Sequence, residues 1–232
     1  MSEKGKEDQR LAATRRYLNF HINREKELED ITMLASTICQ APIALITLMD
    51  EDVQFINAQT GADIREMPRK TSFCTHAIEQ DTIMEVKDAS LDIRFADAPV
   101  VANDPHIRFY ASANLRSYDG YNVGTLCVYD VSPKILTEQQ KQQLEVLAKQ
   151  VSHIMELDRT LKQLQAQNDI LREIAWVQSH ELRSPVSAII GLVAAFKEND
   201  YAVDKEYFLL LEEATIQLDE KIRMIVDKTN SI

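Results

Sequence analysis

At 232 residues the chain is long enough for one or two domains, and a hydrophobic content of 45% supplies material for a packed core. A formal net charge of −11 argues against a nucleic-acid surface and against docking on anionic lipid, and is read here as a source of solubility. Three cysteines, Cys39, Cys74 and Cys127, are an odd number in a chain this long, which points to buried reduced thiols in a cytosolic setting rather than a disulfide framework.

The first ten residues are charged and carry no apolar segment of signal-peptide type. Residues 1–9 are expected to be disordered, ahead of a helix read over residues 8–39 from the spacing of Leu28, Ile31, Ala35 and Ile38. The uncharged stretch Ile31–Met49 approaches the ~17–25 residues that span a bilayer. Thr32, Ser36, Thr37, Gln40 and Thr47 make it polar and Pro42 divides it, so it reads as a helix end followed by a buried strand. A chain with no membrane segment and a cytoplasmic location is expected.

Ile43–Met49 and Val53–Ala58 read as a hairpin around the turn Asp50-Glu51-Asp52. Thr71–Gln80 reads as a short helix, Ile83–Val86 as a strand, and residues 88–107, with Pro99 and Pro105, as irregular chain. Phe109–Leu115 and Tyr121–Tyr129 are strands joined by Ser117-Tyr118-Asp119-Gly120, a turn with glycine at its end. Thr137-Glu138-Gln139-Gln140 is a capping box that opens a long helix. From residue 138 to about 197 that helix contains one proline, Pro185, and one glycine, Gly191. Asn199-Asp200-Tyr201 marks a turn, and Asp204 caps a last helix over Lys205–Thr229. The only other glycines are Gly5, Gly61, Gly120 and Gly124, and no two glycines lie close enough to build a Gly-rich phosphate loop.

Within the long helix, Leu157, Leu161, Leu164, Asn168, Leu171, Ala175 and Gln178 recur in a heptad rhythm. With the leucines 157, 164 and 171 at d, Asn168 falls at a, where a buried asparagine favours a parallel two-stranded coil in fixed register; a tolerated polar residue in a weak seam is the plainer alternative. The seam continues through Leu182, Val186, Ile189, Val193 and Phe196. The consecutive four-residue steps from 178 to 182 to 186 form a stutter, which locally unwinds a coil. Pro185 lies inside it and offers no N–H to the carbonyl of Glu181, so a bend is expected there. His180 is offset from the seam by two residues on either side, about 200° at ~100° per residue, which turns it toward solvent with Ser184 on the same face.

Ser179-His180-Glu181-Leu182-Arg183-Ser184-Pro185 resembles the phosphoacceptor box of sensor histidine kinases, and the resemblance covers residues 170–230. It implies that His180 accepts a phosphoryl group on the first helix of a hairpin, and that two hairpins form a dimeric four-helix bundle. A neutral imidazole is a competent nucleophile near neutral pH. The resemblance gives Glu181 the role of orienting His180 and aiding proton removal. Ser184 stands where family members often carry threonine or asparagine to position a water for dephosphorylation, and Pro185 sets the helix bend. The implied partners are a second copy of the chain and a response-regulator receiver domain.

Residues 10–158 resemble a GAF domain, through Pro42-Ile43-Ala44-Leu45-Ile46, Thr71-Ser72-Phe73-Cys74-Thr75-His76-Ala77-Ile78, Asp88-Ala89-Ser90 with Arg94-Phe95, Phe109-Tyr110-Ala111, and Asp119-Gly120 with Val123-Gly124-Thr125-Leu126-Cys127. Such domains bind cyclic nucleotides, tetrapyrroles, haem or no known ligand, and the ligand here is left unknown. Cys74 and His76 are too few for a zinc site, so no metal is expected and Cys74 is read as a core residue. His21, His106 and His153 have no constellation around them. The Asn- and Gly-rich boxes of the kinase family's ATP-binding domain do not occur in these residues. ATP and magnesium are expected to act only through a further or partner domain, and the chain by itself is expected not to autophosphorylate. The expected fold is therefore α+β: a disordered stretch 1–9, a GAF sensor domain at 10–155 with an antiparallel sheet flanked by helices, a coiled-coil helix at 156–178 and a phosphoacceptor hairpin at 179–232.

Overall fold

The computed structural model describes residues 3–18, 25–198 and 204–230. The chain forms two compact units, Met1–Lys162 and Gln163–Ile232. Two N-terminal helices, α1 (Glu3–Leu18) and α2 (Glu25–Cys39), precede the hairpin β1 (Ile43–Met49) and β2 (Val53–Thr60). A short β3 (Glu66–Pro68), a 3-10 turn over Arg69–Thr71, α3 (Phe73–Ala77), β4 (Met84–Val86) and α4 (Pro99–Ala102) follow. Strands β5 (Phe109–Arg116) and β6 (Asn122–Asp130) complete the sheet, and α5 (Glu138–Glu198) and α6 (Lys205–Asn230) end the described chain.

The sheet has six strands in the order β3-β2-β1-β6-β5-β4, and every neighbouring pair is antiparallel. Side chains alternate across a strand, so one face of the sheet takes every second residue. Ala44, Ile46 and Leu48 of β1, Leu126 and Val128 of β6, and Phe109, Ala111, Ala113 and Leu115 of β5 fall on one face. There they meet Leu28, Ile31 and Ala35 of α2, and Leu144, Ala148, Val151 and Met155 of α5, each set spaced as one stripe of a helix. The intervening residues Leu45, Met49, Tyr110, Cys127 and Tyr129 fall on the opposite face, against Phe73, Cys74 and Ala77 of α3, Val101 of α4, and Phe95. Strands β1 and β6 are thus covered on both faces, which explains why Ile43–Met49 reads as a nearly continuous apolar run.

Two glycines are dictated by this packing. Gly120 ends the β5–β6 turn at φ +88°, in the left-handed region that costs glycine little. At Gly124 a Cβ would stand 1.8 Å from the carbonyl oxygen of Thr47, so only a hydrogen there lets β6 approach β1. The capping box is formed reciprocally: Gln140 N–H donates to Thr137 Oγ1 at 3.2 Å, and Thr137 N–H donates to Gln140 Oε1 at 2.9 Å.

Several expectations are corrected. The stretch expected to be disordered is helical from Glu3, and the helix read over residues 8–39 is described as α1 and α2, with residues 19–24 outside the described chain. The reason lies in tertiary ion pairs. Arg10 is buried, donates to the Met49 carbonyl at 2.7 Å, and grips Glu7 through Nε and Nη2 at 2.8 Å each. Arg69 reaches the same carboxylate at 2.7 Å. The hydrogen bond from Arg10 outweighs partial burial, and with Arg69 it pulls the Glu7 carboxyl down to about 2. Strand β3 was not foreseen: it is a three-residue edge strand containing Pro68, paired with Val53–Phe55. The helix expected at Thr71–Gln80 is only Phe73–Ala77, and the stretch read as irregular contains the single-turn α4. The turn Asn199-Asp200-Tyr201 lies outside the described residues.

Two substitutions test this packing. Gly124→Ala should destabilise the protein by at least ~1–3 kcal/mol, because the clash is with backbone. Gly191→Ala, in an exposed helix interior with nothing within 4 Å of the added methyl, should stabilise the second unit by about 0.5–1 kcal/mol. Urea unfolding followed by circular dichroism measures both.

Candidate functional site

In the second unit α5 and α6 face each other as a hairpin. Pro185 of α5 is buried, and Leu182, Ile189, Leu192 and Phe196 are half-buried. On α6, Ala214 is buried, and Leu211, Leu218 and Ile225 are half-buried at helical spacing. Next to the connection between the helices, aromatic rings pack across the hairpin: Phe196 lies 6.1 Å from Tyr207 and 6.0 Å from Phe208, centroid to centroid. Asp204 caps α6 as expected, its Oδ1 accepting from Lys205 N–H at 2.7 Å and its carbonyl from Tyr207 N–H at 3.1 Å.

His180, Glu181 and Ser184 are exposed on α5. The imidazole of His180 rests beside Trp176, one turn earlier, with ring centroids 5.3 Å apart and planes tilted by 41°. Glu181 lies ~100° further round the helix. It turns toward α6, where Lys221 Nζ donates to its Oε2 at 3.2 Å. Ser184 stands one turn beyond His180 on the same face. The helix continues unbroken through Pro185. The side chain of Gln178, placed in the seam from sequence, lies outside the described residues, as does His21.

Among the described residues the seam leucines stay largely exposed. Leu157, Leu161, Leu164 and Leu171 are 49%, 41%, 59% and 61% exposed, and Asn168 is exposed between them. On α6, Phe208, Leu209, Leu210, Ile216, Ile222, Met224 and Val226 are likewise exposed.

The first unit places Cys74 in the sheet's second core, where it is fully buried. His76 points elsewhere: its ring lies edge-on to Phe95 at 5.2 Å. Among the described residues, no three His, Cys, Asp or Glu side chains converge as a metal site. His153 lines an open groove of about 590 Å³ with Arg116, Lys149 and Glu145, and His106 is an exposed residue with a positive φ of 60°. Among the described residues no helix is long and apolar enough to cross a membrane.

These features can be set beside known proteins. Residues 23–155 match the GAF domain family, and the chain belongs to that family. Over 172 residues it is 36% identical to a cyclic di-GMP phosphodiesterase of Pseudomonas aeruginosa; the match covers 74% of this chain and 29% of that protein's length. Three solved structures share the fold. The blue-light-absorbing PixJ GAF domain of Thermosynechococcus elongatus matches with a TM-score of 0.51 at 16% identity, over 62% of this chain and 92% of that one. A free methionine-R-sulfoxide reductase of Neisseria meningitidis, in complex with its substrate, matches with a TM-score of 0.51 at 16% identity, over 69% and 95%. The GAF domain of an Acinetobacter phosphoenolpyruvate-protein phosphotransferase matches with a TM-score of 0.50 at 17% identity, over 70% and 99%. The chain therefore carries a GAF signalling domain of α+β fold.

Trp176 is the only tryptophan in the chain. Because the His180 ring lies beside it, His180→Gln should change its emission while leaving the circular dichroism spectrum unchanged. Tryptophan fluorescence spectra of the two proteins at one fixed pH are the measurement.

Proposed function

We propose that the chain is a relay component of two-component signalling, in which the GAF domain governs phosphorylation of His180 and transfer of the phosphoryl group to the aspartate of a response-regulator receiver domain. The observation that carries this reading is the exposed imidazole on α5, inside Ser179-His180-Glu181-Leu182-Arg183-Ser184-Pro185 and five residues before a buried proline. The phosphoryl group comes from ATP and magnesium held by a kinase domain elsewhere in the protein or on a partner. The Nε2 or Nδ1 lone pair attacks phosphorus, and the displaced nucleotide leaves. Glu181 exchanges its ion pair with Lys221 for a role in orienting the ring. Ser184 offers a hydroxyl for the water that later removes the phosphoryl group from the regulator.

The unit acts as a homodimer. A lone two-helix hairpin leaves large apolar residues on both helices in water, and a second hairpin offers them a bundle core. The heptad spacing of Leu157, Leu164 and Leu171, with Asn168 at a, selects a parallel partner helix of the same sequence. A small molecule in the GAF domain would bias the packing of that helix pair and so the access to His180.

A second reading is favoured by the relative from Pseudomonas aeruginosa, which is a cyclic di-GMP phosphodiesterase and not a histidine kinase. In it, the GAF domain and hairpin form a non-catalytic dimeric scaffold that presents a signalling partner, and His180 is an ordinary surface residue.

The readings separate on one residue. In cells, or with a histidine-kinase catalytic domain supplied in trans, the relay predicts acid-labile phosphate on the wild-type chain and none on His180→Gln, with dimerisation unchanged. A silent His180→Gln variant in both labelling and output would leave only the scaffold. Dimerisation has its own test: Leu164→Glu with Leu171→Glu should weaken self-association by at least about 100-fold in sedimentation equilibrium, since two charges then enter each a/d seam.

A further inference from the structure

The second core of the GAF sheet holds two thiols in contact. Cys74 Sγ and Cys127 Sγ are 3.9 Å apart, both fully buried. A disulfide is about 2.05 Å long, so about 2 Å of combined side-chain movement separates contact from bond. Cys127 is held in β6 between β1 and β5. Cys74 belongs to a helix of only five residues, so the movement falls on α3.

We propose that Cys74 and Cys127 form a reversible disulfide inside the GAF domain, with Cys74 reacting first with a hydroperoxide and Cys127 resolving it. This rests on the core alone and holds whether the hairpin relays phosphate or serves as a scaffold.

The shell around Cys74 carries the proposal. Thr125 Oγ1 lies 3.2 Å from its sulfur, Tyr110 Oη 3.4 Å and Gln54 Nε2 3.5 Å, each placed to donate. Tyr129 Oη follows at 3.8 Å. These groups come from β2, β5 and β6; Gln54, Tyr110 and Thr125 are wholly enclosed and Tyr129 is buried. A neutral thiol is a weak acceptor and returns little to so many buried donors. A thiolate, or the oxygen of a sulfenic acid, converts the same contacts into charge-assisted hydrogen bonds. The shell therefore fits the reacting sulfur better than the resting one.

The same shell assigns the two roles. Burial pushes a thiol up, but at Cys74 the hydrogen bonds with Cys127, Thr125 and Tyr110 outweigh it and hold the thiol below its ordinary range. Cys127 is pushed well above it, by burial and then by its neighbour Cys74, and keeps its proton. Cys39, raised to about 11 by burial, sits in the other core with no second thiol beside it and is the internal control.

The chemistry balances in two steps. The Cys74 thiolate attacks one oxygen of hydrogen peroxide; the O–O bond breaks, and the departing hydroxide takes a proton to leave as water. The resulting sulfenic acid is attacked by the Cys127 sulfur; the S–O bond breaks, the thiol proton goes to the leaving oxygen, and a second water departs. Two thiols are oxidised to one disulfide and one peroxide is reduced to two waters. The reagent reaches the pair through local opening around α3.

The test uses the whole reduced chain, kept folded and treated with hydrogen peroxide, then mapped by mass spectrometry after alkylation. A linkage joining the Cys74 and Cys127 peptides is expected, undone by dithiothreitol, with Cys74 consumed at least about tenfold faster than Cys39. Cys127→Ser should stop at a sulfenic acid on Cys74, trapped by dimedone, and Cys127→Val serves the same purpose if the serine disturbs the core. Cys39→Ser should behave as wild type. The proposal is overturned if Cys39 reacts as fast as Cys74, if both thiols of the pair survive peroxide in the folded protein, or if the linkage forms only in denaturant that abolishes the circular dichroism signal.

Discussion

The first unit depends on the burial of β1 and β6 on both faces. Successive residues of a strand leave on opposite sides, so each central strand feeds two cores at once. Leu126 and Val128 join the helices α2 and α5, while Cys127 and Tyr129, one residue out of phase, join α3. The close approach that Gly124 permits at Thr47 keeps the two strands in register. It also brings Thr47 and Thr125 together, with their hydroxyl oxygens 3.0 Å apart. A one-residue slip of β6 would exchange its two faces, placing Cys127 against α5 and Leu126 and Val128 against α3. The identity of each core is thus a consequence of strand pairing rather than of either helical layer.

Much of this was legible because it is local. The capping box at Thr137 and Gln140 is a three-residue spacing, and it forms as the spacing requires. The strands β1, β5 and β6 announce themselves by length and β-branched or aromatic content, and α5 and α6 by period. What stayed hidden is non-local. Nothing near residue 3 signals order, because α1 is anchored by Arg10 on the Met49 carbonyl and by Arg69 on Glu7, partners 39 and 62 residues away. Strand β3 has no propensity to speak of and exists because β2 offers it an edge.

The same limit applies to the candidate sites. His180 could be found because its motif is contiguous and its offset from the seam fixes its direction. Cys74 could be read only as core, which its burial bears out, but its neighbours come from sequence distances of 20, 36, 51 and 53 residues. No spacing rule connects Gln54, Tyr110, Thr125 and Cys127. The one available signal is that Thr125 and Cys127 lie two apart on a strand, which puts both side chains on one face.

The second unit poses a different physical problem, because its sequence keeps apolar residues where one hairpin cannot hide them. Two helices share a single contact stripe, yet α6 shows Phe208, Leu209, Leu210 and Ile216 to water in one span. That is costly at about 25 cal/mol per Å² of exposed apolar surface, and a second hairpin removes the cost without any new residue. The position of His180 then gains a physical meaning in the proposed relay. It lies off the heptad seam that a partner would cover, on the stretch where Pro185 withdraws a backbone donor from the Glu181 carbonyl. A phosphoryl group there would add charge at a point where the helix is already short of one hydrogen bond, beside a glutamate tied to the opposite helix through Lys221. Repulsion from that charge would bear on the Glu181 carboxylate that Lys221 holds, so the proposed phosphorylation would act on the α5–α6 contact through a single side chain.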